Sequence, residues 1–270
     1  MSIITISRQT GSLGDEIAKA TAEKLGYKYI EKLQISKVLS KLGFSVSDVD
    51  KYDEKKPSVW QTLSMQKRLF ALLIRAAVYE LAAQENVVIV GRGGQVILKD
   101  IPEAIHVRII APYAARVGRL IEQKRYEEKK AQQVIRQCDR DSSGYLNTYF
   151  DADWDDSELY DLIISTRAIT LDKGVELITS AVGIHEIKKS PSLFERLNDL
   201  ALAQKARAVL LEVVGVELVN VVVEKGVGSL SGLVRSSTVM ENCEKAISNI
   251  RGITSVNNQL NVASENTKIF

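Results

Sequence analysis

The chain has 270 residues, with 45 % hydrophobic and 26 % charged residues, which excludes a collagen-like, low-complexity or wholly disordered polypeptide. With 36 Lys+Arg against 34 Asp+Glu the net charge is +2, so no global field draws it to nucleic acid or an anionic membrane, and any basic site must be local. The length exceeds a typical domain and predicts two.

In chain order, Ile3 to Ser7 is a β-branched run that predicts a strand. A glycine-containing turn follows, Thr10-Gly11-Ser12-Leu13-Gly14, and then a helix with Ile17, Ala18, Ala20, Thr21 and Leu25 at helical spacing. After Gly26 the pattern reads as helix through Ile35, Val38, Leu39 and Leu42, then as a polar, mobile crossover from Ser45 to Pro57, then as a long helix from Ser58 to Gln84. Val87 to Val90 is a buried strand by composition and ends in Gly91-Arg92-Gly93-Gly94. Ile105 to Ile110 is a third strand leading at Ala111-Pro112 into another helix. After the charged segment Lys124 to Asp156 come a fourth strand, Leu162 to Ile164, and a helix near Leu171 to Val182. Strands alternating with helices imply a parallel sheet flanked by helices, an α/β fold.

Residues 186–192 read as a linker between a first domain, 1–185, and a second, 193–270. The second carries eight Lys/Arg and eight Asp/Glu, so it is neutral, and its pattern predicts a small α-β-β-α-β domain. With Phe194 and Phe270 as its sole aromatics it offers little stacking platform for single-stranded nucleic acid. Cys138 and Cys243 read as two reduced thiols, which predicts a cytoplasmic location. Nothing in the opening residues looks like a signal peptide, and no apolar run is long enough to span a membrane. His106 and His185 are the only histidines and there is no Cys-x-x-Cys, so zinc chemistry is not expected, while oxygen-ligated Mg²⁺ stays open.

A glycine loop between a first strand and a first helix aims backbone N–H groups and the positive end of the helix dipole at one point, the usual way α/β proteins hold phosphate. Arg8, Gln9, Thr10, Gly11, Ser12, Leu13 and Gly14 are in that position and form the candidate phosphate-binding segment. They lack the G-x-x-x-x-G-K-[ST] pattern, since Gly14 is followed by Asp15 and Glu16. On the alternative reading the glycines only shape a turn and the two carboxylates stabilise the helix N-terminus. Arg92, at the carboxyl end of a predicted parallel strand, stands where α/β sheets bind ligands.

The run Ile4-Thr5-Ile6-Ser7-Arg8-Gln9-x-Gly11-Ser12-x-Gly14-x-Glu16-Ile17-Ala18 resembles the opening of the cytidylate kinase-like family, relatives of the nucleoside monophosphate kinases with a P-loop-type fold. The resemblance continues through Val88-Ile89-Val90-Gly91-Arg92-Gly93, Ala111-Pro112-x-x-x-Arg116-x-x-Arg119, Asp139-Arg140-Asp141 and Tyr160-Asp161-Leu162-Ile163-Ile164-Ser165, covering residues 1–182. It implies a nucleotide partner, Mg²⁺ carried with ATP, Arg92 with Gly91 gripping the acceptor monophosphate, and Arg116, Arg119, Arg136 and Arg140 as lid arginines that neutralise charge during phosphoryl transfer. It leaves the Mg²⁺ ligands unassigned.

The sequence departs from that pattern where it counts. Authentic cytidylate kinases carry Lys where Gly14 stands, and the kinase-like relatives that lack it often place Arg where Asp15 stands. Opposite charges about 4 Å apart at an effective dielectric near 20 attract by about 4 kcal/mol, so an acid in place of a cation removes several powers of ten in rate unless Arg8 folds back as a surrogate. Two expectations follow: a cytidylate-type kinase, or a pseudo-kinase that senses a nucleotide or other anion. The second domain, through Val219-x-Val221-x-Val223, Gly226-Val227, Leu230-Ser231-Gly232-x-Val234 and Ile250-x-Gly252-Ile253, resembles a BON domain, which implies docking to a protein or lipid partner. The oligomeric state is left open.

Overall fold

The apolar runs of the first part lie side by side in one sheet. In the computed structural model, which describes residues 2–42, 65–184, 192–214 and 219–263, β1 (Ile3–Arg8), β2 (Lys28–Ile30), β3 (Val87–Val90), β4 (Ala104–Ile110) and β5 (Leu162–Ser165) take the order β2-β3-β1-β4-β5. Every pairing is parallel: Ile3 lies opposite Val87 and Ala104, Lys28 opposite Val87, and Val107 opposite Leu162. Central parallel strands are covered on both faces, which is why β1 and β3 are near-continuous β-branched runs and are buried almost throughout. Ile4, Ile6, Ile17, Val88, Val107 and Ile109 meet in the core of this sheet.

The helices between these strands are α1 (Gly14–Leu25), α2 (Lys32–Lys41), α3 (Met65–Ala82), the short α4 (Gly94–Ile97), α5 (Tyr113–Lys124), α6 (Glu128–Phe150) and, after β5, α7 (Leu171–Ile184). α1 and α7 pack together, and the first helix ends on Gly26 in a left-handed conformation that a side chain would strain. β2 corrects the reading of uninterrupted helix after Gly26. A three-residue strand has no period to detect, and the helical pattern begins only at Glu31, whose capping box with Gln34 starts α2. The polar stretch Ser45–Pro57, residues 58–64 of the long helix and linker residues 186–191 lie outside the described residues.

The chain forms two compact units, one of residues 1–63 and 84–190, the other of residues 64–83 and 191–270. Helix α3, placed by its position in the sequence with the first domain, therefore groups with the second part. There it packs along α8 (Leu193–Val209), and Lys205 Nζ on α8 is 2.7 Å from Glu80 Oε2 on α3. The rest of this unit follows the expected order, with β6 (Asn220–Glu224), β7 (Val227–Val234), α9 (Ser237–Ser248) and β8 (Ser255–Val262). β6 and β7 are antiparallel, joined by Lys225 and Gly226 at φ 50° and 77°, the paired positive values of a tight hairpin, and β8 adds parallel to β7. Asp199 secures that turn by accepting the backbone N–H groups of Lys225 and Gly226 at 2.7 and 3.0 Å. Val221, Leu230, Cys243 and Ile247 form its core, and burial raises the Cys243 thiol above its ordinary pKa. Both cysteines are free, and no described helix is long and apolar enough to cross a membrane.

Candidate active site

Strand order reverses around β1, and there the carboxyl ends of β1, β2 and β3 open into a cleft of about 340 Å³. Arg8 and Thr10 from the first loop, Tyr29, Glu31 and Lys32 from the β2 end, and Val90 and Arg92 from β3 line three sides. Cys138, Asp141 and Ser142 of α6 form the fourth. A smaller recess of about 20 Å³ adjoins it, walled by Ser7, Gly91, Gly93, Gln95, Tyr145 and Trp154 and sharing Arg8, Arg92 and Ser142 with the main cleft. The loop, the Gly91-Arg92 turn and α6, widely separated in sequence, thus converge.

The first loop leaves several of its amides unbonded. Gln9 N–H bonds to Ile109 O and Ser12 N–H to Gln9 O, whereas the backbone N–H groups of Thr10, Gly11, Leu13 and Gly14 have no hydrogen bond among the described residues. Ser12 Oγ is buried and also lacks a partner among them. Leu13, just before α1, adopts φ 63°, unusual for leucine. Gly11 is required by a close approach, since a methyl group there would lie 2.8 Å from Leu120 Cδ1 and 3.0 Å from Arg116 O. At Gly14 an added Cβ would lie 2.3 Å from Arg8 Cβ and 2.7 Å from Arg8 Cγ, so the stem of Arg8 fills the space into which a side chain at position 14 would project. Arg8 Nε in turn donates to Asp15 Oδ1 at 2.7 Å.

The four arginines expected to act from a lid divide into two pairs. Arg116 is buried and makes a bidentate contact with Asp139 at 2.8 and 2.7 Å, with a longer reach of 3.4 Å to Thr10 O. Arg119 donates to Gly11 O at 3.1 Å and to Thr166 Oγ1 and O at 2.9 and 2.8 Å. Both therefore brace the loop from behind. Arg136 contacts Tyr113 and Arg140 contacts Gln137, both at exposed positions on α6 and outside the residues lining the cleft. Arg92 is buried, at φ 57°, inside the left-handed turn Gly91-Arg92-Gly93, and Gly93 is fixed there because a Cβ would lie 2.6 Å from the Phe150 ring. Formal charges on the cleft balance, with Arg8, Lys32 and Arg92 against Asp15, Glu31 and Asp141. Burial, followed by the Asp15 and Glu31 carboxylates, holds the Tyr29 phenol above its ordinary pKa.

Residues 3–168 match the cytidylate kinase-like family. The chain belongs to that family. Among curated cytidylate kinases, that of Archaeoglobus fulgidus is 28 % identical over 187 residues, covering 68 % of this chain and 97 % of its own, and that of Sulfurisphaera tokodaii is 28 % identical over 178 residues, covering 65 % and 92 %. An uncharacterized protein from Eubacterium ventriosum, known from its crystal structure, is 26 % identical with a TM-score of 0.55, covering 67 % of this chain and 98 % of its own. The cytidylate kinase-like region accordingly takes in the sheet and the whole cleft.

One group of residues in this kinase-like unit escapes sequence reasoning. Arg108 on β4 is buried, paired with Asp155, and its guanidinium carbon lies 4.6 Å from the centre of the Trp154 ring and 5.3 Å from that of Tyr160. A charged residue in the middle of the apolar run Ile105–Ile110, with two aromatics downstream, was the available signal.

Proposed function

We propose that this member of the cytidylate kinase-like family is a nucleoside monophosphate kinase that transfers the γ-phosphoryl group of ATP to a cytidylate-like acceptor, with Arg8 in place of the missing loop lysine. The observation that supports it best is the exchange at the loop: position 14 has no side chain, and the stem of Arg8 occupies its space while the guanidinium stays at the cleft edge. In this reading the unbonded amide groups of Thr10, Gly11, Leu13 and Gly14 hold the donor phosphates, Arg8 neutralises charge that grows as the phosphoryl group moves, and Arg92 orients the acceptor phosphate. No general base is needed, because the acceptor phosphate is already an anion. Arg116 and Arg119 act by keeping the loop in shape.

Mg²⁺ suits this cleft. It takes one or two carboxylates together with nucleotide phosphates, and Asp15, Glu31 and Asp141 provide hard oxygen donors without a cluster of three ligands, of which there is none among the described residues. Asp15 and Asp141 are the residues we assign to it, and bound there it would add charge neutralisation. The second unit, including α3, is read as a BON-like docking module for a protein or lipid partner, in a cytoplasmic protein.

The test is release of ADP from ATP and Mg²⁺ with each nucleoside monophosphate in turn, on the full chain, Arg92→Ala and Arg8→Ala. Turnover that requires one monophosphate and is lost in both variants is the expected result. A second reading, a nucleotide sensor without turnover, draws on the Arg8–Asp15 pair and the balanced cleft charges. Nucleotide binding without ADP release above the Arg92→Ala control would select it and reject the kinase.

A further inference from the structure

We propose that Arg108 is a positioning residue that builds the acceptor side of the cleft by pinning the segment after α6 against the end of β1. The proposal rests on the nucleotide-binding reading of the cleft and adds a residue to it. Arg108 sits on β4 between Ser7 of β1 and Ile163 of β5 in register, so its backbone is fixed by two neighbouring strands. Its side chain is buried, yet its partners all come from the stretch just past the last turn of α6. Nη2 pairs with Asp155, Nη1 reaches Tyr160 Oη at 3.5 Å, and the flat guanidinium faces the rings of Trp154 and Tyr160.

A buried guanidinium is costly unless charge, hydrogen bonds and aromatic faces all meet it, and this segment supplies all three. The segment is held in return. Trp154 Nε1 donates to Ser7 Oγ at 2.9 Å, Tyr160 Oη donates to Trp154 O at 3.0 Å, and Gln95 Nε2 reaches Tyr160 Oη at 3.4 Å. Ser7, Gln95 and Trp154 are three walls of the small recess beside Arg92. One buried cation thereby sets three elements that are far apart in sequence: the end of β1, the helix after the Gly91-Arg92 turn, and the segment after α6. With the donor side of the cleft, Arg8 and the loop around Gly11, the Arg108 side chain forms no hydrogen bond, ion pair or ring contact among the described residues. The defect on losing Arg108 should therefore fall on the acceptor alone.

The test uses the full chain carrying Trp60→Phe, which leaves Trp154 as its single tryptophan. Arg108→Met, which keeps length but loses charge and planarity, and Arg108→Lys, which keeps charge alone, are compared with it. First, without ligand, iodide quenching of Trp154 should rise at least threefold in Arg108→Met and by a smaller factor in Arg108→Lys. Second, by calorimetry, the Kd for cytidine monophosphate should weaken at least tenfold while that for ATP stays within twofold. Unchanged Trp154 quenching, an unchanged monophosphate Kd, or equal weakening of both nucleotides overturns the proposal. If Arg108→Met does not fold, Arg108→Lys decides: increased Trp154 quenching with a monophosphate Kd that weakens more than that for ATP supports the proposal, and no change in either overturns it. Failure of the parent protein to bind the monophosphate would remove the functional reading and the acceptor role with it, whereas the quenching measurement decides the pinning of Trp154 by itself.

Discussion

Returning the lysine of the phosphate loop to position 14 should fail unless Arg8 is removed with it. In Gly14→Lys the new Cβ would start 2.3 Å from Arg8 Cβ, well inside the roughly 3.5–4.0 Å at which carbon atoms attract. Overpacking of this kind costs about 1–3 kcal/mol. The upper end is expected here, because Arg8 is held on β1 and by Asp15 and cannot simply swing away. Arg8→Gly by itself should cost about 1 kcal/mol, from added chain entropy and loss of an ion pair whose acidic side chain is 62 % exposed. If Arg8 and residue 14 compete for one space, the double variant is relieved of the clash and a coupling energy of about 2 kcal/mol appears. The assay is urea unfolding of the four proteins of the cycle in the Trp60→Phe background, followed by Trp154 fluorescence, which reports on the first unit, together with ATP affinity by calorimetry. Stabilities that add within about 0.5 kcal/mol would refute the competition, and with it the structural basis for Arg8 as substitute cation.

Other expectations are simpler. Asp139→Ala strips a buried guanidinium of its bidentate partner and should cost about 3 kcal/mol in urea unfolding, with ATP affinity falling as the loop loosens; a loss below about 1 kcal/mol would show that Arg116 does not brace it. Gly93→Ala combines φ 72° with a contact of 2.6 Å to Phe150 and should lose about 2–4 kcal/mol by the same measurement. Burial, opposed by Asp161, depresses the pKa of His106 below its unfolded value. Below that unfolded value, about 6.5, the unfolded chain binds a proton that the native chain resists, so stability falls as pH drops through about 6.5. His106→Gln should flatten that part of the pH dependence, and an unchanged slope would count against the assignment.

Much of the sheet was legible because buried parallel strands are rich in β-branched residues, as are Ile3–Ser7, Val87–Val90 and, despite His106 and Arg108, Ile105–Ile110. Lys28–Ile30 was not, being too short for a pattern and half-covered. The rule that ligands gather at strand ends points to the first loop and the Gly91-Arg92 turn together, and Arg8, Thr10 and Arg92 do line one cleft. The arginines of α5 and α6 show the limit of such reasoning. Spacing indicates that Arg116 and Arg119 can share a helix face, but their partners, Asp139 and the carbonyl of Gly11, come from other elements and emerge only in three dimensions. α6 itself was hidden as a charged segment, because few of its residues are buried in 23 positions.

The place of α3 bears on how this protein is made. More than a hundred residues separate the end of that helix, Ala82, from the end of α8, Val209, along which it packs. At the usual pace of synthesis the ribosome needs on the order of ten seconds to cover that distance. During this interval strands β3, β4 and β5 emerge and can join the sheet, while an apolar helix already threaded between β2 and β3 waits for its partner. Its buried face, Phe70, Leu73, Ile74 and Val78 among it, is the surface a nascent-chain chaperone would meet first. A stop codon after residue 190 would make that wait permanent.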